Sequence, residues 1–319
     1  MKKKTIPFFV IAIMMVISAC SNNEEQLLDN QPTFSFSAFI VDNQPTTRIN
    51  LESNIDDDIV VRWEVGDVID VSYVQNGVTR TGKATVVNTS SDRKKAIFGN
   101  VKLPVGIVPG VVDVYGVYGG GGIAYNTTNA ILPANAGTAK SLPDLLNRKD
   151  VMLYFAAKNF NTNNASTASV DFKHLGSVFA ITLRNTCKNP MTLNRAILEG
   201  VNNPNNKNWS YNTDTGGNTF NLSSQTFQNT QSAGNILSFS TNVTTLRPRG
   251  GKMTFLAWYP VLPNKVWPEV QLELIPGGKT RTTINTLPAQ VAPLSLGKVY
   301  NVYAQWNGTN IRFTNELFQ

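Results

Sequence analysis

Between residues 68 and 88, two strand-like runs are separated by Gln75-Asn76-Gly77-Val78. An Asn-Gly pair at such a junction predicts a two-residue hairpin, because a type I′ turn needs positive φ at both central positions. The predicted strands are 68–74 and 79–88. The same grammar recurs along the chain at 59–63, 95–98, 111–118, 123–125, 151–156, 169–172, 177–183, 191–199, 236–239, 253–259, 270–275, 280–285, 299–306 and 311–313. Asn, Gly and Pro punctuate these runs, and Pro276-Gly277-Gly278 predicts a second hairpin. Residues 138–148 suggest one helix, which Pro143 shortens to a turn. No fixed period repeats, so neither a propeller nor a solenoid is indicated. The fold class read from this pattern is all-β, built as sandwiches.

The N-terminus carries a different message. Lys2-Lys3-Lys4 precede an apolar run at 6–17, which is the layout of a secretory signal and too short to cross a bilayer comfortably. Ile17-Ser18-Ala19-Cys20 resembles the lipobox of bacterial lipoproteins, where the Cys20 thiol takes a diacylglyceryl group and becomes the mature N-terminus. An ordinary signal with an incidental cysteine is the plainer alternative. Ser21-Asn22-Asn23-Glu24-Glu25 opens a polar tether. A cysteine followed by Ser, Asn and paired carboxylates resembles the signal that sends lipoproteins of some Gram-negative anaerobes to the outer surface. A merely acidic linker is the rival. Next, Phe34, Phe36 and Ala38 share one face of a strand over 33–41, opposite Ser35 and Ser37. Residues 42–48 break it with turn formers and end in Arg48, where the backbone is expected to be exposed to proteases.

Of 28 basic residues against 21 acidic, three lie in the signal, so the remaining surplus is small and dispersed and gives no case for nucleic-acid binding. Residues 20–319 are too many for one ordinary core and suit two domains. A polar stretch at 159–166 is the expected boundary, dividing the chain into signal 1–19, tether 20–32, and domains 33–165 and 166–319. With Cys20 lipidated, Cys187 has no disulfide partner. His174, the sole histidine, comes with no nucleophile signature and reads as strand packing. Asp56, Asp57 and Asp58, with Asp67 and Asp70 nearby, lack calcium-loop spacing. The glycines at 119–122 lack a phosphate-loop context and read as a flexible tip. No catalytic set, metal or cofactor is expected. Trp209 and Tyr211, in the Asn-rich excursion 202–218, are the candidate adhesive loop if any surface loop is one, an ordinary long loop being the blander reading.

Several stretches taken in order resemble the fimbrillin family, the type V pilins and fimbrillin-like lipoproteins of Bacteroides-type bacteria. They are the lipobox, Thr47-Arg48, Trp63-Glu64-Val65-Gly66-Asp67, Ile131-Leu132-Pro133, Asp150-Val151-Met152, Val170-Asp171-Phe172-Lys173-His174-Leu175 and Leu296-Gly297-Lys298-Val299-Tyr300. The resemblance implies two tandem transthyretin-like β-sandwich domains and a subunit of a surface pilus, located at the outer membrane or in the fimbrium. It also implies assembly by donor-strand exchange: a trypsin-like protease cuts behind Arg48, the strand bearing Phe34, Phe36, Ala38 and Ile40 leaves, and a neighbour's strand fills the groove. The implied partners are other pilin subunits, outer-membrane lipid through Cys20 before processing, and a host or bacterial surface ligand. Residues 299–306 and 311–313 are the candidate donor strands. The rival is a monomeric, surface-tethered glycan-binding lipoprotein that never polymerises.

Overall fold

The computed structural model describes residues 31–41, 59–133, 142–147, 149–201, 210–211, 218–228, 233–234, 236–261, 269–277, 283–287 and 294–314. Its first half contains β1 (Thr33–Ile40), β2 (Val68–Gln75), β3 (Val78–Thr89), β4 (Lys95–Lys102), β5 (Val111–Tyr118), β6 (Asn129–Ile131), the short helix α1 (Leu142–Asn147), β7 (Leu153–Asn161) and β8 (Ser169–His174). Seven of these strands close into a barrel in the order β1-β4-β3-β2-β5-β7-β8, with β8 returning to β1. The predicted hairpin is there: Asn76 and Gly77 have φ of 50° and 79°, and Gln75 pairs with Val78.

The second half comprises β9 (Gly176–Asn185), β10 (Met191–Gly200), β11 (Ser210–Tyr211), β12 (Thr219–Asn221), β13 (Thr226–Gln228), β14 (Ala233–Gly234), β15 (Ile236–Leu246), β16 (Lys252–Pro260), β17 (Val270–Pro276), β18 (Thr283–Leu287), β19 (Val299–Trp306) and β20 (Ile311–Phe313). Two four-stranded sheets, β15-β10-β17-β18 and β16-β9-β19-β20, enclose a second core. The second sheet is buried on both faces. Phe179, Ile181 and Leu183 of β9 point into the second core, whereas Val178 and Ala180 join the barrel core. Burial on both sides explains why 177–183 reads as a nearly unbroken apolar run rather than an alternating one.

Four expectations are corrected. Residues 59–63 do not form a strand. Ile59, Val61 and Trp63 are buried, but the backbone makes separate bonds, Ile59 N–H to Gly297 O (2.9 Å) and Trp63 N–H to Arg93 O (2.9 Å), instead of a ladder. The predicted strand at 123–125 is a single bridge, Ile123 to Ala130. The glycines at 119–122 are a packed turn and not a loose tip. Gly120 N–H bonds Lys149 O at 2.8 Å, and a Cβ on Gly120 would come within 2.6 Å of Met152 Sδ. Lastly, 159–166 is no linker, because β7 runs to Asn161 and a 3-10 helix spans Thr162–Thr167. Buried Thr162 closes onto Gly110, accepting its N–H at 2.9 Å and donating to its carbonyl at 3.1 Å. Consequently β8, expected to open the second half, completes the barrel.

The stretch that follows the Asn-rich excursion packs back against the first half, in a three-stranded sheet β13-β12-β6. β12 pairs with β6, and Leu222 N–H bonds Thr128 O at 2.8 Å. Phe220 packs at 5.0 Å from Tyr154 and 4.9 Å from Phe227.

Candidate functional site

β1 is a stave of the barrel. It runs antiparallel to β4 and parallel to β8, with Ala38 opposite Ala96 on one side and Val170 on the other. Its alternation dictates this placement, since period-2 apolar residues all point to one face. Phe34, Phe36, Ala38 and Ile40 are 6%, 2%, 0% and 4% exposed, and Ser35, Ser37 and Phe39 on the other face are half-buried. Backbone bonds hold it along its length: Leu103 N–H to Pro32 O (2.9 Å), Ser37 N–H to Ala168 O (3.0 Å), Ile40 N–H to Lys94 O (3.0 Å) and Val41 N–H to Phe172 O (3.1 Å).

Inside, Phe36 stacks on Phe98 at 4.9 Å and lies about equally far from Phe155 and Phe160, at 6.1 Å each. Phe34 meets Phe160 at 6.0 Å and Tyr73 edge-on at 6.3 Å. The register slips between Phe34 and Phe36, and Asn100, in the β4 stretch opposite, has a φ of 52°. This bulge lets β4 curve around the strand. Tyr73 hydroxyl is buried with no hydrogen-bond partner, and burial pushes its phenol well above the ordinary range.

Arg48, Cys20 and Trp209 lie outside the described residues. Tyr211 sits in β11, paired with Ala233, with its side chain outside the description. Phe34, Phe36, Ala38 and Ile40 are therefore the predicted site residues that the structure brings together. What sequence reading missed is the slot's walls: Ala96, Phe98 and Val101 of β4 and Val170 and Phe172 of β8. Their alternation was visible, but the pairing of residue 38 with residues 96 and 170 is a long-range fact that no local pattern carries.

Of the candidate donors, β19 lies between β9, with which it runs parallel, and antiparallel β20. Cys187 lies in the turn after β9, where its Sγ–H donates to Asn307 O at 2.7 Å. His174 is buried in β8 opposite Leu153. Asp70 pairs with Lys83 at 2.9 Å, and Asp67 accepts the Glu64 N–H at 2.8 Å. Among the described residues, no group of three or more His, Cys, Asp or Glu is placed to hold a metal ion. No helix among them is long and apolar enough to cross a membrane.

No known protein-family model and no curated protein matches the chain. Among solved structures, it is similar to a protein from Bacteroides ovatus at 15% identity and a TM-score of 0.42, over 89% of this chain and 95% of that one. A protein from Bacteroides uniformis is similar at 14% identity and 0.43, over 90% and 96%. Their names provisionally assign both to cell adhesion. A fimbrial assembly protein from Parabacteroides distasonis aligns at 11% identity and 0.36, over 89% and 95%. Likenesses this remote carry no functional weight by themselves.

Proposed function

We propose that the protein is a structural or adhesive subunit of a cell-surface fimbria, exported as a lipoprotein through Cys20 and joined to its neighbours by strand exchange. The trigger is a trypsin-like cut behind Arg48, and the partners are other subunits of the same kind. The supporting observation is the placement of β1. It fills the barrel with three large apolar side chains, and the chain between it and Ile59 contains Arg48.

While the chain is intact, β1 is held intramolecularly, at an effective concentration on the order of millimolar. A cut behind Arg48 ends that advantage, and the fragment carrying β1 stays with the lipid at Cys20 while the barrel leaves. The vacated slot is bounded by β4 and β8. An incoming strand that keeps β1's pairing runs parallel to β8 and antiparallel to β4, which is strand addition with alternate side chains entering pockets. Phe34, Phe36 and Ile40 each bury an area worth ~1.5–3 kcal/mol, so an unfilled slot exposes a large apolar surface and two bare strand edges. Occupancy up to the moment of exchange guards against aggregation.

The test is limited digestion of the purified chain with a trypsin-like protease. A cut behind Arg48 followed by SDS-resistant ladders, both abolished in Arg48→Ala, supports the reading. A cut chain that keeps β1 and stays monomeric is the behaviour of a tethered lipoprotein that never polymerises.

A further inference from the structure

Residues 103–112 read Leu-Pro-Val-Gly-Ile-Val-Pro-Gly-Val-Val, a run without a polar side chain, and most of it is the loop between β4 and β5. Connecting segments run over the surface, so such a run stands against water. Val105, Val108 and Val111 are 72%, 60% and 56% exposed, whereas Ile107 between them is buried. The backbone that presents them is fixed. Gln75 Nε2–H donates to Val108 O at 3.1 Å and to Val111 O at 3.0 Å, and its Oε1 accepts the Val108 N–H at 3.0 Å. Arg80 Nε–H donates to Val105 O at 3.2 Å, and Ile107 N–H bonds Pro104 O at 3.0 Å. The carbonyls of all three exposed valines therefore have protein partners. Water would have satisfied them at no cost, but an apolar surrounding would not.

The loop lies at the end of the barrel where the chain enters. Thr33 pairs with Lys102, and Leu103 N–H bonds Pro32 O at 2.9 Å. Residues 21–31 join Pro32 to Cys20 and span at most ~40 Å when fully extended. From there the eight residues of β1 run ~26 Å to the opposite end. At that far end Ile40 N–H bonds Lys94 O and Trp63 N–H bonds Arg93 O. A chain held at Cys20 thus has the valine loop at the end nearer its anchor.

We infer that this loop docks on the bilayer that holds the Cys20 acyl chains, with Val105, Val108 and Val111 entering the zone between headgroups and hydrocarbon. The inference rests on the reading of Cys20 as lipid-bearing. Exposed apolar patches mark partner or membrane contacts, and the tether ending at Pro32, beside the loop, singles out the membrane. Interfacial binding scales with the apolar area buried, and three valines alone bind weakly. The tether makes the contact intramolecular, which raises its occupancy without any new interaction. The contact orients the uncut barrel, with the end from which β1 leads on towards Arg48 turned away from the lipid.

The experiment anchors the chain from Cys20 to Gln319 through Cys20 to a maleimide lipid, in a Cys187→Ser background. The vesicles contain phosphatidylethanolamine, phosphatidylglycerol and brominated phosphatidylcholine, whose bromines quench nearby tryptophan. Val105→Trp is compared with Val65→Trp, since Val65 is 67% exposed and lies before β2 at the far end. The emission added by Val105→Trp is expected to shift to the blue and to be mostly lost, while that added by Val65→Trp is unchanged. Val108→Ser with Val111→Ser restores the Val105→Trp emission, and unaltered melting curves show that these surface changes leave the fold intact. Absence of quenching in Val105→Trp, equal quenching in Val65→Trp, or quenching that survives the two serines overturns the inference. A blue shift in Val105→Trp without vesicles, growing with protein concentration, would make the loop a contact between copies and overturn it as well. The anchor here is supplied chemically. Whether cells attach lipid is read separately, by palmitate uptake that Cys20→Ala abolishes, so failure of the lipoprotein reading and failure of the loop contact are told apart.

Discussion

At the scale of single residues, the slot discriminates by size. Phe36 is sandwiched among Phe98, Phe155 and Phe160, so Phe36→Ala is expected to cost ~3–5 kcal/mol in urea unfolding. Ala38 is the opposite case, fully buried and facing Ala96, also fully buried, so Ala38→Leu should cost ~1–3 kcal/mol by overpacking. If Ala38→Leu left stability unchanged, the slot would be too loose to select a strand. Tyr73 makes a further prediction. Its hydroxyl is buried without a partner, so Tyr73→Phe should be neutral or stabilising near pH 7. Its phenol ionises well above the ordinary value of 10.0 because burial disfavours the charged form. The unfolded state therefore loses its proton first. Stability is complete below pH ~10 and falls at ~1.4 kcal/mol per pH unit above it, and Tyr73→Phe removes that share of the loss. Denaturation curves of wild type and variant from pH 9 to 11.5 read the difference directly. Tyr118, pushed up to about 12 first by burial and then by Asp67, changes stability in the same direction.

Secondary-structure elements were legible where local chemistry decides them. Asn76-Gly77 announced its turn because Asn and Gly both tolerate the positive φ that a type I′ turn needs, and β1 announced itself by alternation. Segment 59–63 alternates equally well yet is not a strand, because alternation reports burial and not the presence of a partner edge. The glycines at 119–122 misled for a related reason. Glycine signals freedom, but here it answers crowding by Val151, Met152, Ile131 and Asp70. A matched pair of substitutions separates the two uses. Gly77→Ala meets nothing within 4 Å and should lose only the left-handed penalty of ~1–2 kcal/mol. Gly119→Ala adds a clash with the carbonyls of Val151 and Lys149 and should lose distinctly more, read as a larger drop in melting temperature.

At the scale of the whole molecule, the all-β class was readable from turn spacing, whereas the division of the chain was not. The polar run 159–166 looks like a linker by composition, yet Thr162 is tied to Gly110 and β8 closes the barrel. The sheet carrying β9 and β16 serves both cores, and β12 reaches back to β6, so no single stretch of sequence separates two independent bodies. The account's central claim concerns β1 as an exchangeable stave. It is tested most directly by hydrogen exchange on the chain cut behind Arg48 and freed of its N-terminal fragment, with and without a synthetic peptide spanning Thr33–Val41. The account predicts that amides of β4 and β8 lose protection when the fragment leaves and regain it when the peptide is added, while β17 and β18 stay unchanged. Protection of β4 and β8 that is indifferent to the fragment and to the peptide would contradict it.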